Sequence, residues 1–158
     1  MCFCMVIITV MQAWLVSLAL QFRRLVPCLL MLVDKLLLCE EHSVLGEHLL
    51  QVFNADLLRQ LAPDKHLAAY FLILERIAEN GSIPPGAIVD ILIAYSRNQA
   101  IASETTASGL WIRGSQVLLI CRTIMVHHYS SRAFHSLSTL LAFLVVYFPD
   151  VEVQDTAR

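Results

Sequence analysis

Hydrophobic positions recur at three- and four-residue spacing through most of the chain, and the interruptions predict where helices start and stop. Met1 to Phe22 carries no charged side chain and Arg23-Arg24 follows at once. This predicts an apolar first helix over 1–22, either buried in a helical core or long enough to span a bilayer with the arginines as a cytosolic anchor. Gln12, Ser17, Gln21 and the central Trp14 favour burial. A cleaved signal peptide fits less well, because the stretch has no basic n-region and no small-residue cleavage site.

Three helix pairs are predicted behind it, over 24–61, 64–96 and 108–148. Leu25 to Cys39 has Pro27 in its first turn and apolar residues almost all round, the pattern of a helix sandwiched between neighbours. Ser43 is the predicted cap of its mate, which places Leu45, Leu49, Val52 and Phe53 on one stripe. Ala62-Pro63-Asp64 stops that helix, and Leu67, Tyr70, Phe71, Leu74 and Ile77 form the next stripe with Glu75, Arg76 and Glu79 outside it. Asn80-Gly81 predicts a left-handed C-cap. After the turn Ser82 to Gly86, Ala87 to Tyr95 predicts a short helix burying Ile88, Ile91, Leu92 and Tyr95. Ser96 to Gly109, with Ser103-Glu104-Thr105-Thr106 at its centre, reads as a polar inter-repeat loop. Leu110 to His127 resumes the pattern through Val117, Leu118, Cys121, Ile124 and Met125, and Ser130 to Phe148 is its antiparallel mate. Pro149-Asp150 then caps a last helix of two turns, Val151 to Arg158.

The three pairs open near Arg24, His66 and Ser108, so the rhythm repeats every 42 residues. A fixed period of that size predicts an all-α, HEAT- or armadillo-like α-solenoid, in which each pair buries a face against the next. The solenoid stops inside a helix with no polar terminal cap, so the 158 residues are expected to form a single solenoid fragment truncated at the C-terminus.

Composition narrows the partners. The chain is 58% apolar and 15% charged with a net charge of −2, so most of its surface must be covered by protein or lipid and no basic field favours nucleic acid. Five cysteines, an odd number without regular spacing, fit a reducing compartment; Cys28, Cys39 and Cys121 read as small core residues, and Cys2-x-Cys4 as a free pair.

No chemistry-bearing constellation stands out. His127-His128 sits at a helix end, where adjacent side chains diverge by about 100° and a dipole partner is the ordinary role. Cys39, Glu41, His42 and His48 match no zinc template. There is no Gly-x-Ser-x-Gly elbow, and Gly109-x-x-x-x-Gly114 lacks the Lys-Ser/Thr of a phosphate loop. Phe53, Tyr70, Phe71, Phe134, Phe143 and Phe148 occupy core-facing positions, and Arg113, Arg122 and Arg132 read as a solvated face. No catalytic, cofactor-binding or metal-binding residue is assigned, and no small-molecule substrate is expected.

The string SQVLLICRTIMVHHYSSRAFHSLSTLLAFLVVYFPDVEVQDTAR, from Ser115 to Arg158, resembles the β subunits of the fifth heterotetrameric adaptor complex, large subunits of the vesicle-coat adaptors. LVSLALQFRRLVPCLLMLVDKLLL and KHLAAYFLILERIAENGS look like preceding helices of the same subunit, so the resemblance runs from about Met11 to the end. It implies a piece of an adaptor trunk that is cytoplasmic and peripheral on late endosome and lysosome membranes. Its implied partners are another large subunit, a medium and a small one, and its implied role is non-enzymatic scaffolding in protein sorting and vesicle-mediated transport. The alternative drawn from the residues alone is a small membrane protein anchored through 1–22.

Overall fold

The computed structural model describes residues 2–64, 66–101 and 107–158, with side chains from residue 10 onward and outside 102–108. The described residues are all-α, and the chain divides into two compact units, Met1–Leu61 and Ala62–Arg158.

In the first unit α1 (Cys2–Gln21) buries Gln12, Val16 and Ala19, a stripe at four- and three-residue spacing, while Val10, Met11 and Trp14 stay exposed. At Phe22 the helix breaks. A 3₁₀ turn, Arg23–Leu25, carries the chain into α2 (Val26–Leu38), and the path bends by 115° there. Pro27 lies in the first turn of α2, where its missing N–H costs no helical bond. Only Val26, Leu29 and Val33 of α2 are buried; Met31 and Leu38 face outward, so the helix is covered on one side rather than sandwiched. α2 packs on α3 (Ser43–Val52), which continues through a π-helical turn, Phe53–Leu57, into the short α4 (Leu58–Gln60). The approach of α2 and α3 is set at Gly46, where an added Cβ would stand 3.0 Å from Leu37. Ser43 does not cap α3. His42 occupies the cap position, and the Ser43 hydroxyl turns back to donate to the Glu40 carbonyl at 3.3 Å.

The second unit opens with Asp64 accepting from the His66 amide at 2.9 Å, ahead of a 3₁₀ turn, Leu67–Tyr70, and α5 (Phe71–Glu79). Leu67, Tyr70, Phe71, Leu74 and Ile77 are all buried, as their spacing predicts. Glu75, Arg76 and Glu79 lie half-covered beside them, with Arg76 paired to Glu79. The predicted left-handed glycine after α5 is absent: Asn80 is extended, its side chain accepts from the Ser82 amide at 3.0 Å, and no described glycine has positive φ. Gly81 answers to a close approach instead, since a Cβ there would lie 3.2 Å from the His127 carbonyl.

α6 runs Gly86–Ile101, six residues past the end expected from its apolar pattern. The extension is helical because its polar residues are buried: Ser96 and Gln99 face inward beside Tyr95, and Gln99 accepts from the Arg113 guanidinium at 3.0 Å. The Ser103-to-Thr106 run falls outside the described residues. α7 (Ala107–His127) and α8 (Ser131–Tyr147) follow, the latter capped by Ser130, whose hydroxyl accepts from the Ala133 amide at 3.2 Å. Asp150 caps α9 (Val151–Ala157) through the Val153 amide at 3.1 Å.

Within this unit α5 lies on α7, α6 lies on α8, and α9 lies on both α8 and α7, while α6–α7 and α7–α8 touch less. Two layers result, one of α5, α7 and α9 and one of α6 and α8, which is solenoid-like stacking. α7 supplies Val117, Ile120, Cys121 and Ile124 to the core between the layers. By length and composition Gly109–His127 would also serve as a bilayer span, yet these four residues are buried within the protein.

The seat of α9 on α7 is Gly114, where a Cβ would come within 2.5 Å of Val153 and 2.9 Å of Phe148. Gly114→Ala should therefore lower stability by about 1–3 kcal/mol through overpacking, although alanine is the better helix former. The urea midpoint checks this, and an unchanged or raised midpoint would contradict the α7–α9 contact.

Candidate interaction surfaces

The groups singled out in the sequence as chemistry-bearing are dispersed. Among the described residues no group of three His, Cys, Asp or Glu side chains stands close enough to hold a metal ion. Cys39, Glu41 and His42 are exposed in the α2–α3 connection, while the ring of His48 turns to α1 and its Nδ1 accepts from Gln12 Nε2 at 2.8 Å. His127 and His128 separate as their helical angle requires. His127 is exposed, whereas His128 is buried and its Nε2 donates to the Ala78 carbonyl at 2.9 Å, tying the end of α7 to the last turn of α5. That tie goes beyond a dipole contact.

Three further expectations need correction. Cys28 and Cys39 are exposed rather than core residues, because they lie on the uncovered side of α2 and just past its end; only Cys121 is buried, and burial pushes its thiol up to about 12. Phe53, Tyr70, Phe71 and Phe148 are core residues, but Phe134 is exposed on the outer side of α8, and Phe143 is half-covered against Tyr147 with ring centroids 5.3 Å apart. The three arginines form no ridge: Arg113 is engaged by Gln99, while Arg122 and Arg132 are exposed on different helices.

What the described residues offer partners is apolar surface. In the first unit a cavity of about 160 Å³ is lined entirely by apolar atoms, with Met11 and Leu15 of α1, Leu32 and Leu36 of α2 and Leu45 and Leu49 of α3 around it. In the second, a trough of about 630 Å³ runs along α7 beside the end of α9. Leu118, Leu119, Arg122 and Met125 of α7, Leu141 of α8 and Ala157 of α9 line it. Periodicity placed Met125 in the core, but Met125 and Leu119 are exposed there because no helix covers this part of α7.

A family described as "AP5B1, middle domain" matches residues 3–158. The chain belongs to this family. The match reaches back to residue 3, so most of the stretch before Met11 belongs with the rest of the chain. AP-5 complex subunit beta-1 of Xenopus tropicalis is 31% identical over 94 residues, which is 60% of this chain and 10% of that relative's length. The chain thus spans a small part of the curated relative it matches. No solved structure matches it. In this AP5B1 middle-domain member, the described side chains leave apolar surface uncovered in both units.

His128→Ala should cost about 1–3 kcal/mol, since it leaves the Ala78 carbonyl without its buried donor, whereas His127→Ala should be near neutral. Paired thermal or urea melts decide this, and equal effects of the two would remove the inter-helix role of His128. In a chain with Cys2 and Cys4 replaced by serine, a thiol reagent at pH 8 should react with Cys28 and Cys39 in the native state and with Cys121 only after denaturation. Fast native labelling of Cys121 would contradict its burial.

Proposed function

We propose that this chain is a non-enzymatic scaffold segment of an adaptor-complex large subunit, acting in endosomal protein sorting and vesicle-mediated transport. The observation that carries the reading is a match to one adaptor-subunit family over residues 3–158, on a chain whose second unit is layered helices with uncovered apolar faces. Such faces serve a subunit that is held among others, because apolar patches on a free monomer favour association. The partners are the other large subunit and the medium and small subunits of the complex. The site of action is the cytoplasmic face of late endosome and lysosome membranes, with peripheral attachment.

The burial of Gln12, Val16 and Ala19 on α1, and the hydrogen bond of Gln12 to His48, support a first helix that packs on protein rather than one crossing a bilayer. A span would place these groups in contact with lipid or a second helix, and an amide such as Gln12 is costly there without a partner.

Affinity capture of the tagged chain from cytosol, read by mass spectrometry, is expected to recover the remaining adaptor subunits. Alkaline carbonate should release the membrane-bound fraction. Recovery of chaperones alone would contradict the scaffold reading, and retention in the carbonate pellet would replace it with the anchored alternative.

A further inference from the structure

Arg23-Arg24 is the chain's only pair of adjacent basic residues. With α1 packed on protein the pair is not needed to anchor a span, and the structure gives it another setting. It forms the 3₁₀ turn at the 115° bend between α1 and α2, with Phe22 before it and Leu25 closing it. All four side chains are exposed, Phe22 to 53% and Leu25 to 40%. Neither guanidinium has a hydrogen-bond or ion-pair partner among the described residues. Beside the turn lies an open hollow of about 510 Å³, which Leu20, Gln21 and Phe22 line together with the two arginines. The far end of α2 is acidic: Glu40 and Glu41 are exposed there, beyond a helix of 13 residues, about 20 Å long. That is more than twice the screening length of about 8 Å at physiological salt, so the two ends present their charges separately. Helix pairs stack through their flanks, so a turn between helices stays at the margin of a stack whichever pairs adjoin it.

We propose that the turn Phe22-Arg23-Arg24-Leu25 is a direct contact for an anionic phospholipid bilayer. The guanidinium groups take the headgroup phosphates, which their planar forks match, and Phe22 and Leu25 enter the boundary beneath. A bilayer presents a negative plane over an apolar layer, and this turn presents cations and apolar side chains on the same few residues, the complementary order. An acidic protein segment would use the arginines and leave Phe22 and Leu25 in water. One arginine near an anionic surface favours partitioning about fivefold, and the pair about 30-fold. A contribution of that size supports reversible attachment and falls as salt screens it. The inference deepens the peripheral-membrane reading above and rests on it.

The two exposed cysteines of this unit mark the two ends of α2, Cys28 one turn past Arg24 and Cys39 beside Glu40. Purified 158-residue chain with Cys2 and Cys4 replaced by serine is mixed with vesicles of phosphatidylcholine, with or without phosphatidylserine. Bound fraction and alkylation rates of Cys28 and Cys39 are then measured. The expected result is binding to the phosphatidylserine vesicles that weakens with salt, and alkylation that slows at Cys28 but not at Cys39. Replacing both arginines by glutamine should weaken binding about 30-fold, and replacing both by lysine should retain most of it. Arg122→Gln with Arg132→Gln, two exposed arginines of the second unit, should leave it unchanged. Equal binding to the two vesicle types overturns the proposal, as does equal loss from the two glutamine pairs or equal slowing at Cys28 and Cys39. Protection of Cys28 by a polyglutamate peptide but not by vesicles would give the turn to an acidic protein segment. Capture of adaptor subunits without vesicle protection ends this inference alone, whereas protection without capture ends the scaffold role.

Discussion

Two-sided packing of α7 organises the second unit. Val117, Ile120, Cys121 and Ile124 recur at three, one and three residues and are all buried, which fixes the rotation of the helix about its axis. With that rotation set, α5 finds one flank of α7, and Gly114 opens a shallow seat for Val153 and Phe148 on another. Polar ties secure both ends of this packing. His128 closes the Ala78 carbonyl at one end of α7, and Arg113 reaches Gln99 at the other. α7 is apolar enough to pass for a bilayer span, with one stripe of it buried in protein and Leu119, Met125 and Val126 left open.

The first unit solves a different problem with a similar composition. Its opening stretch is too apolar to face water on all sides, and the chain turns by 115° at Phe22 so that α1 can lay Gln12, Val16 and Ala19 toward the unit's interior. The α1 stripe meets the π-helical turn, and α2 meets α3 at Gly46. Much apolar surface stays uncovered, including Trp14, Met31 and Leu38. Apolar exposure of that extent favours association.

Helical spacing in the sequence reports which residues share a face, and it served well wherever a neighbour covers that face. Leu67, Tyr70, Phe71, Leu74 and Ile77 are buried as read, as are Ile88, Ile91, Leu92 and Tyr95, and Asp150 caps α9 as its position before an apolar turn implies. Spacing carries no information about whether a cover exists. Met125 and Phe134 have the periodicity of core residues and lie open, and Cys28 sits in an apolar run on an uncovered side. The opposite error concerns polar residues inside. Polarity marks Ser96 and Gln99 as loop, yet they are buried in the last turns of α6, where Arg113 of the next helix donates to Gln99. His128 was legible as a structural histidine, but its partner Ala78, 50 residues away, was not. The trough escaped the sequence reading because its lining comes from three helices.

The central claim is that α7 is the inner member of a layered helical scaffold, and native-state amide hydrogen exchange of the 158-residue chain tests it most directly. The account predicts that the second unit's slowest exchange lies over Val117 to Ile124 of α7, with the facing turns of α5 next and α9 faster because it is only seven residues long. Exchange over Val117 to Ile124 as fast as in α9 would mean that α7 is not the packed centre, and the layered scaffold would fall with it.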